Sequence, residues 1–150
     1  MHLAINLENG DLAIFTNEKW SYAKASTVYI NDILNGRLAQ VKVEENSTSY
    51  FGITPNFIEA MNGKFENTTV IIMGCDGLIT QSMAKAFIQR GAKAHMGWDD
   101  FVTPQYVDTA TTKLLQHLVL EKQTIPETVA STTHEVGNDP DNRGTLHYYP

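Results

Sequence analysis

The stretch TVIIMGCDGLI, Thr69–Ile79, decides how the rest of the chain is read. From Thr69 to Met73 the run is apolar in character and β-branched at Val70, Ile71 and Ile72. Such runs mark strands covered on both faces, as in a parallel sheet held between helices. The run ends in Gly74, then the chain's only cysteine, Cys75, then Asp76 and Gly77. Open α/β sheets keep their sites outside the carboxyl ends of the strands. Cys75 is therefore either a small packed hydrophobe or a nucleophile at a strand end.

Working downstream, Ile79, Met83, Ala86 and Phe87 share a stripe that Gly91 stops, which predicts a helix over about Thr80–Arg90. Ala92–Trp98 reads as a short strand. Thr103-Pro104 opens a helix carried by Val107, Ala110, Leu114, Leu115 and Leu118 to about Lys122. Thr124-Ile125-Pro126-Glu127 is a capping box for a last helix ending near Gly137. Asn138–Arg143 is a polar loop, and Gly144–Tyr149 a final strand.

Upstream, Leu3–Leu7 and Leu12–Phe15 predict a hairpin around Asn9-Gly10. Tyr22–Leu34 predicts a helix stopped by Asn35-Gly36, and Leu38–Glu44 a strand. Thr54-Pro55 opens a short helix with Phe57, Ile58 and Met61 on one face. This order predicts an α/β fold: one domain over 1–150, a three-layer sandwich with a mostly parallel sheet and an N-terminal hairpin.

Bulk properties narrow the class. A chain of 150 residues, 42% hydrophobic and 19% charged, can bury a real core and is neither disordered nor membrane-like. The net charge of -6 and scattered basic residues argue against nucleic acid as a partner. No apolar run is long enough for a membrane segment. A single cysteine makes neither an internal disulfide nor a thiolate metal site. With no signal peptide visible, the default expectation is a reducing, cytoplasmic setting. Phosphate and dinucleotide cradles are missing, and no cofactor is expected. Asp139–Gly144 starts like a calcium loop, but Arg143 takes a ligand position and Pro150 stands where the bidentate Glu belongs.

The chemistry centres on two strand-end loops, Gly74–Gly77 and Trp98–Asp100, which share one crevice if their strands are neighbours. A helix starting just after Cys75 would favour its thiolate, while the Asp76 carboxylate disfavours it. The flanking glycines would let backbone approach a substrate and free the Cys75 N–H as an oxyanion donor. A thiol nucleophile needs a base. Spacing alone does not choose one among His2, His95, His117, His134 and His147.

The segment VIIMGCDGLITQSMAKAFIQRGAKAHMGWDD, Val70–Asp100, resembles the nucleophile strand, helix and next strand of caspase-like cysteine peptidases, the group of caspases, legumains, gingipains and metacaspases. Prokaryotic caspase-like proteins are the nearest type. Tyr106–Val129 and the upstream LAIFTNEKWSYAK and YFGITPNFI fit the same pattern. The resemblance implies that Cys75 is the nucleophile and that a preceding histidine is the base. His2 is the one histidine before Cys75. Leu3 stands where the group has a small residue after that histidine, and the group's first strands would precede it. The resemblance thus implies an N-terminally abbreviated domain, completed by an upstream chain or paired as a homo-oligomer.

Three functions follow as expectations. One is a cysteine endopeptidase acting on a peptide or protein substrate through a His2–Cys75 dyad. Gly74, Asp76, Trp98 and Asp99 would line its pocket, and the acids would favour cleavage after basic residues. Another is a non-catalytic caspase-like interaction or pseudo-enzyme module. The last is a general α/β ligand-binding domain in which Cys75 merely packs.

Overall fold

A computed structural model describes residues 3–5, 11–43 and 46–150. Its first half is an antiparallel sheet in the order β1-β2-β4-β3. The strands are β1 (Leu3–Ile5), β2 (Leu12–Lys19), β3 (Leu38–Val41) and β4 (Tyr50–Ile53). The second half is a three-stranded sheet in the order β5-β6-β7, of β5 (Thr69–Ile71), β6 (Ala94–Trp98) and β7 (Leu146–Tyr149).

The N-terminal hairpin forms as expected, with Leu3 opposite Ile14 and Ile5 opposite Leu12. Its Asn9-Gly10 turn lies outside the described residues. The expected helix over Tyr22–Leu34 is instead two short ones, α1 (Tyr22–Ser26) and α2 (Ile30–Leu34). The break falls at Thr27-Val28, a β-branched pair that fits a helix poorly. It frees Tyr29 to pack on Phe51, ring centroids 5.0 Å apart, and to donate its hydroxyl to Glu18 at 2.8 Å.

Sequence reading missed β4, which lies between β2 and β3. It is four residues long and contains Gly52, so alternation has little to show. The glycine has a packing reason: a Cβ there would sit 2.6 Å from Val41 Cγ1.

Helix α3 (Pro55–Ala60) starts where Thr54-Pro55 predicts. The Thr54 hydroxyl makes no cap. It donates to the carbonyls of Gly36 at 2.6 Å and Arg37 at 3.1 Å, tying α3 to the turn before β3. Helix α4 (Ser82–Gln89) follows β5, and α5 (Pro104–Leu115) follows β6. At Gln116–Leu120 α5 passes into a π-helical turn. Helix α6 (Ile125–Val136) opens with the predicted box: the Glu127 carboxylate accepts the Thr124 N–H at 2.9 Å and its hydroxyl at 2.6 Å.

Two apolar clusters hold these parts. One joins Leu12 and Ile14 of β2, Ile58 of α3, Met83 and Phe87 of α4, and Ile72. The other joins Met96 and Trp98 of β6 and Leu146 of β7 to Val107, Ala110 and Leu114 of α5, with Ile125 and Val129 of α6. Strand alternation makes the division. Met96 and Trp98 point to α5 and α6, while His95 points the other way, onto the Phe87 ring at 5.7 Å.

The fold is α/β, but the expectation of a mostly parallel sheet needs correction. Among the described strands only β5 and β6 run parallel; β6 and β7, and every pair of the first sheet, are antiparallel. Helix count explains this. One helix, α4, carries the chain back for a parallel re-entry after β5. Two helices, α5 and α6, follow β6 and return the chain to the end where β6 stopped, so β7 must run antiparallel. The Thr103 N–H and hydroxyl, at the start of α5, meet Asp139 Oδ2, just past α6, at 2.7 and 2.9 Å.

Candidate functional site

The parallel pairing of β5 with β6 brings the two predicted loops together. The Asp76 N–H donates to the Asp100 carbonyl at 3.2 Å, and the Leu78 N–H to the Trp98 carbonyl at 2.8 Å. The shared strand end exists, but its crevice is filled by the chain itself. Gly77 lies so close to β6 that a Cβ on Gly97 would fall 2.9 Å from the Gly77 carbonyl carbon. The glycine pair serves a backbone–backbone approach, where the sequence suggested an approach to substrate.

Cys75 is half-buried and packs against the cluster of α5 and α6. Its thiol faces both backbone groups of Val102. The S–H donates to the Val102 carbonyl at 3.5 Å, and Sγ accepts the Val102 N–H at 3.4 Å. The residues after it, Cys75–Ile79, form turns, and α4 begins only at Ser82. The helix thus starts two residues beyond the expected Thr80, with a run of turns between it and the thiol. Gly74, half-buried, supplies the bend out of the strand.

Asp76 is the unusual member. Its backbone is left-handed, φ 59°. The residue is 5% exposed, and its Oδ1 has no hydrogen-bond partner among the described residues. Burial pushes this carboxyl above the ordinary aspartate range, and the neighbouring Asp100 pushes it further. A buried carboxyl so placed is costlier to ionise than one open to solvent.

Trp98 and Asp99 also differ from the expected pocket lining. Trp98 is fully buried in the α5–α6 cluster. Asp99 has both oxygens engaged with β7: Oδ1 accepts the Thr145 N–H at 2.7 Å, and Oδ2 lies 2.9 Å from His147 Nε2. It fastens the β6 end to β7.

The proposed base, His2, lies outside the described residues. Among the described histidines none bonds to Cys75. His95 is fully buried, with Nε2 3.1 Å from the Gly77 carbonyl and Nδ1 unpartnered. Burial pushes it below the ordinary histidine range, against the opposing pull of that carbonyl. His117 sits on the π-turn, 3.0 Å from Glu121 and 3.5 Å from Glu135. His134 is exposed.

Sequence reading weighed Asp139 only as the start of a rejected calcium loop and left it in a polar loop. It is 1% exposed and accepts four hydrogen bonds, from the Thr103 N–H and hydroxyl and from the N–H groups of Asp141 and Asn142. The signal was present: Asp-Pro-Asp-Asn beside a helix end is a turn whose first carboxylate can take the following N–H groups.

Two shallow hollows lie on the outer face of α5, one against Asp108 and Lys113, the other against Leu115, Val119 and Leu120. Neither reaches the strand-end loops. No group of metal-ligating side chains gathers among the described residues, and no helix there is long and apolar enough to cross a membrane. Comparison of the chain with known protein families, curated proteins and solved structures gave no match.

Proposed function

We propose that this chain is a non-catalytic module of the caspase-like kind, an interaction domain in which the strand-end cysteine packs. The placement of Cys75 Sγ between the N–H and C=O of Val102 carries this reading. A nucleophile needs a thiolate open to substrate and a base in reach. Here the sulfur is engaged by both backbone groups of Val102, and no described histidine bonds to it. In this reading a sheet-completing partner, a second copy or an upstream chain, would pair beside β5, whose described pairing is with β6 alone.

The peptidase reading rests on a different observation. Asp76 holds a left-handed backbone and a buried, unpartnered carboxyl oxygen directly after Cys75. Strain and unsatisfied groups of this kind gather at functional sites. In that reading Cys75 attacks a peptide carbonyl and His2 takes and returns the proton.

Two measurements separate the readings. Iodoacetamide alkylation of Cys75 is followed against pH, native and in urea. Native protection that urea abolishes supports the packed thiol; rapid native alkylation near neutral pH supports the nucleophile. A fluorogenic panel with Arg, Asp and Asn before the scissile bond then tests turnover. Hydrolysis that disappears in Cys75→Ala would overturn the module; cleavage after Asp but not Arg would exclude a basic-residue pocket.

A further inference from the structure

We infer that the Asn62–Gly63 peptide bond is a site of spontaneous modification, with water as the co-reactant. The chain contains three Asn-Gly pairs: Asn9-Gly10, Asn35-Gly36 and Asn62-Gly63. The first lies outside the described residues. The other two share the chemistry and differ in how they are held.

In the reaction the Gly backbone nitrogen attacks the preceding Asn Cγ. A new N–Cγ bond forms, the Cγ–Nδ2 bond breaks, and ammonia leaves with the former N–H proton. The cyclic imide then adds water at one of its two carbonyls and opens to aspartate or isoaspartate. Glycine is the permissive neighbour because it lacks a Cβ to hinder the approach.

At Asn35 both reacting groups are tied. The side-chain Nδ2 donates to the Asn31 carbonyl at 2.6 Å, and the Gly36 N–H donates to the Ile33 carbonyl at 3.0 Å. Gly36 also sits at φ 63°, with Asn56 Nδ2 3.2 Å from where a Cβ would be. At Asn62 neither group is tied. Asn62 and Gly63 are exposed, and neither the Asn62 amide nor the Gly63 N–H has a partner among the described residues. Nothing stands within 4 Å of a Cβ built on Gly63.

A cation adds to the difference. The Arg90 guanidinium donates to the carbonyls of Met61 and Gly63, one on each side of Asn62. A positive charge in that position favours the deprotonated Gly63 nitrogen that attacks. It holds the flanking carbonyls and leaves the attacking nitrogen and the amide free. The product carboxylate then lies beside Arg90. In the isoaspartyl form the main chain gains a methylene between the two carbonyls that Arg90 bridges.

The test is peptide mapping by mass spectrometry after incubating the full chain at mildly alkaline pH, native and in urea. The Asn62 peptide should convert in the native protein at least about tenfold faster than the Asn35 peptide, since two hydrogen bonds of ordinary strength must open first at Asn35. In urea the two should convert alike. Gly63→Ala, which has room for its methyl group, should slow conversion at Asn62 without moving the thermal midpoint. An unmodified Asn62, native conversion at Asn35 as fast as at Asn62, or unchanged conversion in Gly63→Ala would overturn the inference.

Discussion

Asp76 and Asp139 lie in loops at the same end of the second sheet, and both are buried, yet they do opposite things. Asp139 accepts four hydrogen bonds and joins the start of α5 to the turn after α6. Asp76 has a left-handed backbone and a buried oxygen with no partner among the described residues. Burial pushes both carboxyls up. At Asp139 the hydrogen bonds from Thr103, Asn142 and Asp141 outweigh it, so the group ends below the ordinary range. At Asp76 nothing opposes burial, and Asp100 adds to it. Being buried does not make a carboxylate a support; having its lone pairs filled does.

The largest test of this contrast is Asp139→Ala. It removes the acceptor of three N–H groups and a hydroxyl, and should cost about 3 kcal/mol. At this chain length the thermal midpoint should fall by roughly 6–12 °C. A change of under a degree would mean that the turn holds without its carboxylate. Gly97→Ala comes next. Its methyl would press on the Gly77 backbone and lift the Asp76 loop from β6, an overpacking cost of about 2 kcal/mol by urea denaturation. A neutral result there would show that the loop is slack.

Asp76→Asn should move stability the other way, by about 1 kcal/mol, because asparagine tolerates the left-handed backbone and carries no charge to bury. Destabilisation instead would mean that the carboxyl has a partner in solution. The smallest effect lies in the pH profile. Asp139, depressed on folding, stabilises above the ordinary aspartate range, and that contribution is lost as pH falls through its folded value. Asp76, raised on folding, favours the folded state below the ordinary range, and that contribution is lost as pH rises through its folded value. Urea midpoints measured from about pH 3 to 7 should therefore lose part of their acid-side fall in Asp139→Asn and some of their decline with rising pH in Asp76→Asn.

Much of the second half was legible because its signals are local. Thr103-Pro104, the Thr124 box, the β-branched run into Gly74 and the stripe through Met83 and Phe87 each mark an element whose position the structure bears out. Strand direction was not legible from any one segment. It follows from counting the helices between β6 and β7, which brings the chain back from the end where it left. β4 was illegible because Gly52 interrupts a four-residue strand. The site was legible in place but not in contact. That the Gly74 and Trp98 loops adjoin follows from two parallel strands. That Cys75 faces Val102, or that Asp99 is held by Thr145 and His147, depends on atoms distant in sequence. The histidine that the resemblance implies, His2, lies outside the described residues.

Strand β6 has one more consequence. All five of its residues are buried, Ala94, Met96 and Trp98 facing one way and His95 and Gly97 the other. It is the partition between the molecule's two apolar bodies, and each uses it as a wall. Neither body can let go of β6 without exposing its own interior. Local openings elsewhere in the chain can come and go, but opening this strand is the same event as losing the whole structure. Its amides should be among the slowest in the protein to exchange with water.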